Sequence, residues 1–123
     1  MQNKRVLIVD DQFLGGMELT DHFASRGLSV MGPHFRLETA QEVVGITQPR
    51  IAVMKPRLGP VSLIAFARDL IASGIPVVMR VSTAAEKAEA FAIGAHPISS
   101  AAKPGAVLHT MNAALRSLAP QAA

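Results

Sequence analysis

The chain has 123 residues, half of them hydrophobic and 17% charged, a balance that excludes a disordered chain and suits one compact domain with a single core. It contains no cysteine, which rules out disulfide frames, thiolate metal sites and cysteine nucleophiles. The net charge of +3 comes from basic residues scattered singly or in pairs, with little aromatic interleaving, so nothing in the pattern motivates a nucleic-acid surface.

In chain order, the N-terminal MQNKRVLIVDDQ offers four apolar residues before two aspartates, too few for a signal-peptide core or a membrane span. A cytoplasmic location without membrane attachment is the expectation. Val6 to Val9 is a continuous apolar run, the pattern of a strand covered on both faces. Similar runs at Leu28 to Met31, Ile51 to Met54, Val77 to Val81 and His96 to Ile98 predict four more strands. Helical spacing predicts helices over Phe13 to Ser25, Leu37 to Ile46, Val61 to Ala72, Ala84 to Ile93 and Ala106 to Leu118. In the last, Val107, Leu108, Met111, Leu115 and Leu118 form one apolar stripe, and the five phenylalanines are spread like core residues. The final APQAA reads as a tail, leaving a core of about 4–118 in one domain over 1–123.

Strict alternation of strands and helices predicts a doubly wound α/β fold with a parallel sheet, whose ligands bind beyond the carboxyl ends of the strands. At those ends the chain places Asp10-Asp11-Gln12, Lys55-Pro56-Arg57, Ser82-Thr83 and the segment from Ser99 to Lys103. Two adjacent carboxylates at the end of a buried strand require a cation, either a divalent metal such as Mg²⁺ or a side-chain ammonium or guanidinium. The same acids argue against a dinucleotide or flavin phosphate at this turn. Gly15-Gly16 comes too late for such a turn and reads instead as close packing or a soft first helical turn. The histidines His22, His34, His96 and His109 sit in different elements and offer no close ligand pair.

RVLIVDDQFLGGMELTDHFASRGLSVMGP, QPRIAVMKPRLGP, IPVVMRVSTA and GAHPISSAAKP together resemble the receiver domain of two-component response regulators, from Arg5 to about Leu118. A Gly-Pro after the second strand and Arg57-Leu58-Gly59-Pro60 after the third are similar to features of stand-alone receivers. The resemblance implies a flavodoxin-like, five-stranded parallel sheet of order 2-1-3-4-5. It also implies an acid pocket in which Asp10 and Asp11 help to hold Mg²⁺. The phosphoacceptor's place falls on Lys55, the family's Thr or Ser on Val81, and its switch aromatic on Ile98. Ser82 follows Val81 at once, but strand alternation predicts that it turns away from the pocket. The family's lysine aligns with Ala101, unless a longer loop brings Lys103, two residues on, to the pocket.

A protonated lysine has no lone pair with which to accept a phosphoryl group, and its charge competes with Mg²⁺ for the two carboxylates. Lys55 is therefore expected to lie toward both Asp10 and Asp11 in place of the metal, ahead of the plainer reading of a lysine that snorkels from the strand end into water. No cofactor is expected, with Mg²⁺ at the two acids as the alternative. Arg80, inside a strand that should be buried, either pairs with a carboxylate or leaves the core at a short strand end. With Lys55, Arg57 and Lys103 it makes the carboxyl edge a candidate for an anionic ligand or acidic partner, beside the plainer reading of separately satisfied charges.

The leading expectation is a non-enzymatic pseudo-receiver in two-component signalling. It would bind a histidine kinase, another regulator or a second copy of itself through the face from the fourth to the fifth helix, without phosphorylation. There Ala84, Ala85, Ala88 and Ala92 permit close helix approach, although helix propensity explains alanine equally well. The competing expectation is a phosphoryl-accepting regulator with a rearranged site built on Asp10 or Asp11 and Lys103.

Overall fold

In the computed structural model, residues 4–118 are described. The tail 119–123 and the side chains of Phe13 and Leu118, for which the sequence carries expectations, lie outside that description.

The main sheet contains β1 (Arg5–Val9), β2 (Ser29–His34), β3 (Ile51–Met54), β6 (Val77–Val81) and β7 (His96–Ser99). They are parallel and run in the order β2-β1-β3-β6-β7. This is the flavodoxin-like receiver arrangement, with the order 2-1-3-4-5 when the main-sheet strands alone are counted. The helices are α1 (Phe13–Ser25), α2 (Leu37–Ile46), α3 (Ile64–Ala72), α4 (Ala84–Ala92) and α5 (Pro104–Leu118).

The apolar runs form strands because the two-residue period feeds two cores at once. Val6 and Ile8 pack with Leu19 and Phe23 of α1 and with Val107, Met111 and Ala114 of α5. Leu7 and Val9 pack on the opposite face with Ala40 of α2, Phe66, Ala67 and Leu70 of α3 and Ala90 of α4. Burying each such aliphatic side chain contributes about 1.5–3 kcal/mol, so a slip of one residue would be costly on both faces.

Three boundaries differ from expectation by two residues or more, each for a local reason, and the start of β1, the start of β2, the end of α4 and the end of β7 by one. Residues Val61 and Ser62 are not helical: they form β5 (Val61–Ser62), antiparallel to β4 (Arg57–Leu58), in a hairpin turning at Gly59 and Pro60. Gly59 supplies the left-handed φ of +57° that this turn requires. The Leu63 N–H donates to the Pro56 carbonyl at 2.8 Å and closes the loop, so α3 begins only at Ile64. The second strand extends to His34 past a register shift between Leu7 and Val9, with Gly32 at φ +123° and a cis Gly32-Pro33 bond. α5 begins two residues early because Pro104 suits a first helical position.

Gly16 packs closely, as the sequence suggests: a Cβ there would lie 2.9 Å from Pro33 Cβ, whereas one on Gly15 would meet nothing nearer than 3.9 Å. The doubly wound arrangement therefore brings four loops, those after β1, β3, β6 and β7, to one edge.

Candidate functional site at the carboxyl edge

Side-chain parity fixes where the first acid goes. Asp10 continues the side of Ile8, which faces α1 and α5, while Asp11 lies past the end of the strand in the bend that follows. On β6, Arg80 likewise continues the side of Val78. Asp10 and Arg80 thus point to the same side of the sheet from strands separated by β3, roughly 10 Å apart at the usual spacing. An arginine is long enough to cross that gap.

Arg80 Nη1 donates to Asp10 Oδ2 at 2.8 Å, and Nη2 donates to the Ser100 carbonyl, also at 2.8 Å. The other carboxylate oxygen of Asp10 accepts the Gln12 N–H at 2.8 Å. Its own N–H donates to the His34 carbonyl at 3.0 Å. The pair is well buried, with side-chain exposures of 13% for Arg80 and 3% for Asp10. An ion pair in that setting is held by geometry and hydrogen bonds, and removing one partner leaves the other charge uncompensated.

Asp11 makes a second, wetter arrangement. Lys55 Nζ donates to Asp11 Oδ1 at 3.2 Å, and the Gly59 N–H donates to Oδ2 at 2.9 Å. Burial pushes the Asp11 carboxyl up, but the Gly59 N–H and the Lys55 ammonium together outweigh it and hold the group below its ordinary range. Asp11 thereby ties both the beginning of the β3–α3 loop and its hairpin turn to the end of β1. Across both acids, each carboxylate oxygen accepts a hydrogen bond from the protein.

The expected placement of Lys55 needs correction in one respect. It reaches Asp11 alone and not both acids, since Arg80 takes Asp10. Ser82 also departs from expectation. It shares parity with Arg80 and borders the same cleft of about 230 Å³ as Asp11, Lys55 and Arg57. Its N–H donates to Glu86 Oε1 at 2.7 Å, and its Oγ lies 2.8 Å from Ser100 Oγ. Val81 instead points into the core with Met54 and Met79.

Ala101 and Lys103 are both exposed, and no contact joins Lys103 to either acid among the described residues. Ile98 is half-buried beside α5. No three metal-ligating side chains come together among the described residues, the four histidines included. The sequence raised Arg80 only as an anomaly and did not single out Gly59 or the Ser100 carbonyl as partners. The available signal was parity: in the order 2-1-3-4-5, Asp10 and Arg80 face the same side two strands apart.

No protein-family model matches the sequence, and no curated protein matches it. Solved structures do match the fold. The signal receiver domain of a modulated diguanylate cyclase from Desulfovibrio desulfuricans G20 is 20% identical, with a TM-score of 0.80 over 95% of this chain and 97% of that one. A CheY-like response regulator receiver domain protein from Methanospirillum hungatei JF-1 is 15% identical, with a TM-score of 0.81 over 95% and 97%. A chemotaxis response regulator of Vibrio cholerae is 16% identical, with a TM-score of 0.78 over 93% and 99%. At these identities the likeness establishes the fold. Among the described residues no helix is long and apolar enough to cross a membrane.

Proposed function

We propose that this protein is a receiver-fold module of two-component signalling that works by protein contact and not by aspartyl phosphorylation. One observation carries the reading: the acid pair of the carboxyl edge is neutralised from within, Asp10 by Arg80 and Asp11 by Lys55. A Mg²⁺ ion does not fit that donor set. It would have to displace a guanidinium at 2.8 Å and an ammonium at 3.2 Å, and the third position offers a cation in place of a ligand. The residue at the family's phosphoacceptor position, Lys55, carries no carboxylate, and Val81 brings no hydroxyl to the pocket.

Signalling by such a module passes through its surface, to a histidine kinase, another regulator or a second copy. Both edge strands contain a proline, Pro33 in β2 and Pro97 in β7, which disfavours extension of the sheet by a partner strand. Helix faces are the better candidates. On α4, Ala84, Ala85, Ala88 and Ala92 are exposed, and Phe91 is 62% exposed, giving a small-residue surface with one large apolar contact.

The test is intact-mass measurement after treatment with acetyl phosphate or phosphoramidate in the presence of Mg²⁺. The protein should remain unmodified. A hydroxylamine-labile phosphoryl adduct would overturn the reading in favour of a rearranged site on Asp10 or Asp11.

A further inference from the structure

Away from the acid pair, a groove of about 410 Å³ opens between α4 and β7, within the roughly 300–1,000 Å³ common for small-molecule sites. Its apolar side is made by Val81, Pro97 and Ile98, and its polar side by Thr83, Lys87 and Ser99.

The polar side consists of donors. Thr83 Oγ1 accepts the Glu86 N–H at 3.1 Å as the cap of α4, and Ser99 Oγ accepts the Ala101 N–H at 3.1 Å. Each hydroxyl thus spends an acceptor site and keeps its O–H proton, for which no acceptor is present among the described residues. Lys87 is exposed and has no ion-pair partner among the described residues. No carboxylate lines the groove, since Glu86 turns its oxygen to the Ser82 N–H. A ligand suited to these walls accepts hydrogen bonds, carries negative charge and has a hydrocarbon part.

We propose that this groove binds a small organic carboxylate, its charged end against Lys87, Thr83 and Ser99 and its hydrocarbon part on Val81, Pro97 and Ile98. The site is separate from the acid pair, and the proposal does not rest on phosphate-independent signalling.

Backbone amide shifts of the full chain, titrated with benzoate and hexanoate, test it. The expected result is saturable shifts confined to residues 81–87 and 96–99. Lys87→Gln, at an exposed position, should weaken binding by about tenfold, the value of a charge-assisted hydrogen bond. Ala84→Trp, which fills the groove from α4 at an exposed position, should abolish it. The neutral analogues benzyl alcohol and hexanamide should bind more weakly than the acids. The proposal is overturned by an absence of saturable shifts, by equal binding of the neutral analogues, or by a Lys87→Gln response equal to the parent's. Inorganic phosphate saturating the same amides as strongly as benzoate would overturn the assignment to an organic acid.

Discussion

Arg80 reaches across the end of β3 to Asp10, Nη1 to Oδ2 at 2.8 Å, and so joins two strands that are not neighbours. The same guanidinium holds the Ser100 carbonyl, which ties the β7–α5 loop to the end of β1. Asp10 is 2% exposed, so the pair is a buried one. A buried charge that loses its partner typically costs about 3–5 kcal/mol. Arg80→Leu is expected to destabilise the protein by that amount in urea melting. Arg80→Leu combined with Asp10→Leu is expected to recover much of the loss, because an apolar pair replaces an ionic one. A single-variant loss below about 1 kcal/mol would place the pair among solvated surface contacts.

Lys55 and Asp11 are partly exposed, at 24% and 33% of their side chains, and solvent screens their attraction. Lys55→Ala is therefore expected to cost about 1 kcal/mol or less. The same melting experiment ranks the two cations: Arg80 above Lys55. The reverse order would show that the wetter pair anchors the site.

Proton linkage gives a second view of the same groups. Asp11 has a folded-state pKa below its ordinary value, so its contribution to stability is present above the unfolded carboxyl range, about 3.9, and is lost as pH falls through the folded value. His34, whose pKa is lowered by burial and whose Nε2 is buried without a partner among the described residues, acts earlier. Its contribution is present above about 6.5 and is lost as pH falls from there. Stability followed by urea melting should fall in two stages on acidification. Asp11→Asn should flatten the lower stage and His34→Phe the upper; a curve unchanged by Asp11→Asn contradicts the latch assigned to that residue.

The two glycines of α1 separate packing from propensity. At Gly15 a Cβ meets only ordinary contacts, and alanine should stabilise the helix by up to about 1 kcal/mol. At Gly16 a Cβ would strike Pro33 at 2.9 Å, and alanine should cost about 1–3 kcal/mol in overpacking, partly offset by the same propensity gain. Equal melting temperatures for the two variants would remove the role assigned to the Gly16–Pro33 contact.

Much of the scaffold was legible because its signals are local. The bounds of α1, α2, β3 and β6 follow from periodicity and from Gly or Pro at their ends, and all four match the structure. The β4–β5 hairpin was not legible, because Val61 and Ser62 fit the helical pattern of α3 and only the Gly59-Pro60 turn and the Leu63-to-Pro56 hydrogen bond exclude them. At the site, the meeting of Lys55 with Asp11 could be read from neighbouring strands. The meeting of Arg80 with Asp10 required strand order and parity together, since 70 residues separate them. Ser82 faces the pocket because it shares the parity of Arg80, whereas the resemblance puts the hydroxyl position at Val81, which lies in the opposite core.

The central claim is that the acid pair is neutralised by the protein's own cations. It is tested most directly by titrating Mg²⁺ to millimolar concentration while following the amides of Asp10, Asp11, Gln12 and Gly59, with Arg80→Leu/Lys55→Ala as the unlocked comparison. The account predicts no saturable shift at those amides in the parent protein and a saturable one in the double variant. A saturable shift in the parent, at the concentrations that perturb the double variant, would contradict it.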